Sequence, residues 1–109
     1  MLDMQTIRAA AARLAAAASS PSRVIVFGSY ARGTAVEGSD LDLMVVEREL
    51  TDKTDEYLQL RVALIRVAPG VGVDLLLYAL TEFERRSQVP GTILFEARMD
   101  GKVLHDAIH

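Results

Sequence analysis

Three aspartates carry the chemistry this sequence can do. Asp40 and Asp42 stand two apart at the head of an apolar run, and Asp74 interrupts a second run, Val71 to Ala79. Residues two apart on a strand point the same way, roughly 6.6 Å apart along it, so Asp40, Asp42, Met44 and Val46 are expected on one face. Two carboxylates that close oppose each other's ionisation unless a cation compensates. Hard dications such as Mg²⁺ take carboxylate oxygens together with substrate phosphates. Asp74 is the only polar side chain from Val71 to Ala79 apart from the Tyr78 hydroxyl. With its strand beside that of Asp42, three carboxylates would converge, the ligand set of a two-metal phosphoryl-transfer site. Each acid also has a plainer reading: Asp40 capping a turn with Ser39, Asp74 a strand-edge acid in solvent.

Gly28-Ser29 follows a β-branched run, Arg23 to Phe27, that reads as a short buried strand. Glycine there permits a sharp turn and close approach of a ligand. A short helix from Ser29 through Arg32 would present backbone N–H groups to a phosphate. No GK[ST] follows and the GxGxxG spacing is absent, so neither a Walker loop nor a dinucleotide fingerprint is present. Arg32 has a guanidinium suited to phosphate, or simply supports the turn. Tyr30 and Tyr78 read as packing residues, Arg85 and Arg86 as a solvated helix face. His105 and His109 read as a chain end, not a metal pair.

These residues need a scaffold, and the pattern supplies one. Asp3 is a plausible cap for a first helix with Ile7, Ala11, Leu14 and Ala18 at helical spacing, stopped by Ser19-Ser20-Pro21. Arg13 interrupts the alanine-rich segment and Asp3 precedes it, which favours an ordinary helix over a targeting peptide. Leu41 to Glu47 is the second strand. A helix beginning at Thr51 to Asp55 carries Tyr57, Leu60, Leu64 and Val67 as one stripe, with Arg61 and Arg66 towards its end and Pro69-Gly70 as its stop. Val71 to Ala79 is the third strand, Thr81 and Glu84 suggest a capping box, Pro90 restarts a helix closed by Asp100-Gly101, and Lys102 to His105 suggests a small edge strand. The expectation is an α/β (α+β) domain spanning residues 1–109, a small mixed sheet with helices packed on it.

Of 109 residues, half are hydrophobic and a quarter charged, with a formal charge of -3. That balance argues against a groove for long nucleic acid, which needs a basic patch. Without cysteine there is no disulfide framework or thiolate metal site, consistent with a reducing cytoplasm. No apolar run is long enough to span a bilayer.

Taken together, Gly28-Ser29-Tyr30-Ala31-Arg32-Gly33, Ser39-Asp40-Leu41-Asp42-Leu43 and Val73-Asp74-Leu75-Leu76-Leu77 resemble the DNA polymerase β-like nucleotidyltransferases. The resemblance spans about Val24 to Phe83 and is greatest to the minimal nucleotidyltransferases, antitoxins paired with HEPN-domain toxins. It implies that Gly28 and Ser29 hold the triphosphate, with Arg32 and Ser39 as further candidate contacts, and that Asp40 and Asp42 hold two Mg²⁺ ions. Asp74 would ligate the ion nearest the acceptor. The implied reaction is AMP transfer from ATP to a hydroxyl, with a tyrosine of a HEPN toxin as acceptor. The alternatives are a non-catalytic module that neutralises a partner by contact, or an enzyme modifying a small molecule such as an aminoglycoside. Oligomeric state, homo- or hetero-, stays open.

Overall fold

The computed structural model describes residues 1–65, 67 and 70–108. The Arg66 and Pro69 signals and His109 lie outside the described residues. Helix α1, Met4–Ala17, starts where the Asp3 side chain accepts the Thr6 N–H (2.8 Å), a side-chain N-cap. Its buried stripe is Ile7, Ala10, Ala11 and Leu14. Strand β1, Ser22–Phe27, leads directly into a five-residue helix α2, Gly28–Arg32. Strand β2 is Leu41–Glu47, and helix α3, Lys53–Leu64, is capped by Asp52. Strand β3, Val73–Ala79, is followed by α4, Leu80–Arg86, then α5, Ile93–Asp100, then β4, Lys102–Asp106.

The sheet order is β3-β2-β1-β4. β2 runs antiparallel to β1 and parallel to β3, and β4 is antiparallel to β1. The sheet is therefore mixed, as the pattern implied. One face, with Val24, Val26, Leu43, Val45, Leu75 and Leu77, packs on α1 and α3 through Leu14, Leu60 and Leu64. The other face, with Ile25, Phe27, Met44 and Val46, packs on Phe83 of α4 and Leu94 and Ala97 of α5. Among the described residues no helix is long and apolar enough to cross a membrane.

Two local expectations change. The Thr81–Glu84 capping box does not form: α4 begins at Leu80 with Ala79 as its cap and no side-chain cap bond, because strand β3 runs straight into it. Val67 lies beyond α3, although it still packs against the first core.

An acid pair ties the scaffold together on the α3 side. Glu47, wholly buried at the end of β2, faces Glu56 of α3. Glu56 accepts both the Ser19 N–H (2.8 Å) and the Ser19 hydroxyl (2.6 Å) from the loop after α1.

Candidate active site

Phe27, the last residue of β1, pairs with Asp42 of β2, and Asp42 pairs with Asp74 of β3. The three lie in one row across three strands about 4.8 Å apart. Farther along the same face, Met44 and Val46 are covered by the second core, so the two acids stand at its rim. Parallel pairing of β2 and β3 is what puts them side by side, and the sequence could state that pairing only as a condition.

Gly28 closes the other side of Asp42. At φ +70 it holds a left-handed backbone, and a Cβ placed there would overlap Asp42 Oδ2 and lie 3.0 Å from its Cγ. The turn into α2 can therefore press against the carboxylate only because residue 28 has no side chain. Gly33 ends α2, also left-handed, with its N–H bonded to the Ser29 carbonyl.

Asp40 lies one residue before β2. The strand begins at Leu41, whose N–H donates to the Gly72 carbonyl (2.9 Å). The Asp40 carboxylate lies against Gly72, where a Cβ would come 3.0 Å from Cγ. The fold thus brings all three aspartates to the same end of the sheet, with Asp42 against Gly28 and Asp40 against Gly72. Among the described residues no group of three or more His, Cys, Asp or Glu is arranged to hold a metal ion.

The charge is concentrated. Burial first, then the hydrogen bond and charge of Asp74, then the charges of Asp40 and Glu96, push the Asp42 carboxyl up to about 6. Among the described residues, no salt bridge joins Asp40, Asp42 or Asp74 to a lysine or arginine. Carboxylate oxygens without a cationic partner are the donor chemistry that a hard dication takes. Asp42 and Asp74 supply neighbouring carboxylates, and Asp40 adds a third at the same end of the sheet.

The remaining candidates are placed differently. Arg32 donates to Glu96 Oε1 of α5 (2.6 Å) and is engaged in that ion pair. Ser39 accepts the Val36 N–H through its hydroxyl and donates its own N–H to the Val36 carbonyl, both at 3.0 Å, closing the turn before Asp40. Tyr30 accepts the Leu2 N–H (3.0 Å). Tyr78 carries Lys53 and Arg86 over its ring. Three residues had no sequence signal pointing here: Glu96, which adds charge near Asp42, Gly72, and Arg61. Arg61 bonds the Val73 carbonyl (2.8 Å) and, with Tyr57 and Ile93, lines a cavity of about 330 Å³ opening on Asp42 and Asp74.

This geometry has counterparts. Residues 7–99 match the family model described as "Nucleotidyltransferase domain". Over 53 residues the chain is 42% identical to a Methanocaldococcus jannaschii protein named "Putative protein adenylyltransferase MJ1305". That match spans 48% of this chain and 36% of the relative's length. Among solved structures, one titled "Crystal structure of the toxin-antitoxin with AMP-PNP" is similar in fold, with a TM-score of 0.64 and 21% identity. It is covered over 74% of its chain by 96% of this one. A structure titled as a putative nucleotidyltransferase from Sulfolobus solfataricus has a TM-score of 0.61 at 20% identity, covering 94% of this chain and 78% of its own. The match over residues 7–99 takes in α1 through most of α5, including the Gly28 turn and all three aspartates, and so the chain belongs to the nucleotidyltransferase domain family.

Proposed function

We propose that this nucleotidyltransferase moves AMP from ATP to a hydroxyl on a partner protein, as an antitoxin acting on its toxin. The observation that carries the reading is Asp42 held between Gly28 and Asp74. The triphosphate lies on the Gly28-Ser29 side, where glycine admits close approach of a phosphate to the backbone. The acceptor hydroxyl lies on the Asp74 side. Its oxygen bonds to the α-phosphorus as the bond to the pyrophosphate oxygen breaks, while Asp74 orients the hydroxyl and takes its proton. Asp40, Asp42 and Asp74 would hold Mg²⁺, which when bound neutralises phosphate charge on both the attacking and leaving sides. The protein's own contribution is positioning, which a small scaffold can supply.

A protein acceptor is supported by the adenylyltransferase relative, and the antitoxin role by the toxin-antitoxin neighbour. A HEPN-domain toxin with a tyrosine acceptor is the partner the sequence motifs imply, and the cytoplasm the expected setting. The test is incubation with α-labelled ATP, Mg²⁺ and the protein encoded beside it. Label on that protein, absent with Asp42→Asn, is expected. If Asp42→Asn protein protects cells from the toxin as fully as the wild type, contact and not catalysis neutralises the partner.

A further inference from the structure

β3 is an edge of the sheet, with no strand of this chain beyond it among the described residues. The Gly72 carbonyl accepts from Leu41 of β2, so in a parallel ladder the alternate residues Val73, Leu75 and Leu77 turn their backbone groups outward. The Val73 carbonyl, bonded by Arg61, confirms the alternation. Leu75 and Leu77 thus turn their N–H and C=O groups away from β2, along an unbroken seven-residue strand whose only charge is Asp74, while their side chains are buried in the first core. The opposite edge is managed differently: β4 has five residues, is charged at both ends by Lys102 and Asp106, and carries a register shift against β1. Such features blunt an edge, whereas a long apolar one invites another strand.

A continuous groove follows the open edge. The cavity at Asp42 and Asp74 shares Tyr57, Leu75 and Leu76 with a second of about 380 Å³, which runs on past Leu77 and Tyr78 to Lys53. The groove therefore begins at the candidate catalytic acids and tracks the strand. Two cations flank it without a carboxylate partner among the described residues: Lys53, over the Tyr78 ring at 4.9 Å, and Arg61.

We propose that the acceptor docks as an extended, acid-flanked peptide segment that pairs with the outer edge of β3 and places a long hydroxyl-bearing side chain beside Asp74. This rests on the protein-acceptor reading above and names how such a substrate is held. Backbone bonds to Leu75 and Leu77 supply affinity without fixing sequence, and the alternation of side chains supplies register. An added strand stands one strand spacing beyond Asp74 and two beyond Asp42. A serine there reaches Asp74 but falls short of Asp42, whereas a tyrosine-length side chain reaches towards both. Lys53 and Arg61 select acidic neighbours, since electrostatic complementarity governs the choice of partner.

The test uses the full chain with ATP, Mg²⁺ and ten-residue peptides carrying one central tyrosine in β-branched sequence with acidic, neutral or basic flanks. Amide exchange at Leu75 and Leu77 is followed by NMR alongside AMP transfer. Acidic peptides are expected to slow exchange at both amides and to have a KM about tenfold below that of basic ones, with Lys53→Glu reversing the order. Transfer without protection at Leu75 and Leu77 overturns the edge proposal and leaves the function standing. Protection without transfer keeps the docking and removes the adenylylation reading. Neither effect with any peptide removes both. Protection that grows with protein concentration in the absence of peptide, together with a dimer mass, assigns the edge to a second copy and overturns the proposal.

Discussion

Gly28, the first residue of α2, and Asp42 of β2 are in contact, and the contact leaves no room for a Cβ on residue 28. The Gly28→Ala variant therefore meets two penalties. Alanine at φ +70 is strained by about 1–2 kcal/mol, and its methyl must displace the Asp42 carboxylate. The expected outcome is a fold kept at slightly lower Tm and AMP transfer reduced on the order of a hundredfold, because small misplacements of reacting groups are costly. Single-turnover kinetics beside a thermal melt separate the two effects.

Gly72 supplies the same service to Asp40 with an ordinary backbone. A Cβ there overlaps the Asp40 carboxylate, and no positive φ adds strain. Gly72→Ala should leave Tm within a few degrees of wild type yet lower transfer and weaken Mg²⁺ dependence. Combining it with Asp40→Asn should cost little beyond Asp40→Asn alone, since both act through one side chain. A double-mutant cycle on kcat/KM reads this directly, and full additivity would show that Gly72 acts elsewhere.

The elements were legible wherever apolar periodicity was long. The β2 bounds, the Asp3 cap and the stop after α1 were all readable from residues alone, as was the candidacy of Asp40, Asp42 and Asp74. What the sequence could not give was which strands are neighbours. The Asp42–Asp74 juxtaposition depends on a parallel β2–β3 pair, a long-range choice with no local signature. Asp40 was expected to share the face of Asp42 from just ahead of the strand, and β2 starts at Leu41, as read, where its N–H finds the Gly72 carbonyl. Gly72 looked like part of a strand and Glu96 carried no signal, because proximity to the site comes from tertiary packing. Glu47 and Glu56 gave no signal at all, since an acid at a strand end and one in a helix's first turn are both ordinary when read singly.

Removing one of the crowded carboxylates should relieve repulsion in metal-free protein. Asp42→Asn is expected to raise Tm in EDTA by several degrees, about 1 kcal/mol corresponding to about 4–8 °C for a domain of this size. Mg²⁺ should raise the wild-type Tm and leave the Asn variant nearly unmoved, because a ligand stabilises only the state that binds it. Transfer should fall by more than about a hundredfold. Equal Mg²⁺ shifts in the two proteins would place the ion away from Asp42.

Glu47 and Glu56 give the chain a pH dependence remote from the aspartates. Burial, then the hydrogen bond and charge of Glu56, raise the Glu47 carboxyl to about 8. Burial also works to raise Glu56, but hydrogen bonds from Glu47 and from the Ser19 side chain and backbone outweigh it and leave Glu56 below the ordinary carboxylate range. The pair thus holds one proton between them, with Glu47 as donor. Glu47 Oε2 is buried with no group that donates a hydrogen bond to it among the described residues, so ionisation leaves its charge uncompensated. Because the folded-state value of Glu47 lies above its unfolded one, the folded chain binds more protons between about 4.5 and about 8, and stability falls as pH rises through that window. Glu47→Gln presents an amide N–H₂ to Glu56 in place of the acid O–H and cannot ionise. Its Tm should match wild type near pH 5, exceed it at pH 8 by at least about 4 °C, and lose the downward slope between. Glu56→Gln instead removes the carboxylate that accepts from Glu47 and Ser19, and should lower Tm at every pH. Thermal melts of the three proteins from pH 4 to 9 check this, and a wild-type slope that survives in Glu47→Gln would assign the titration to another group.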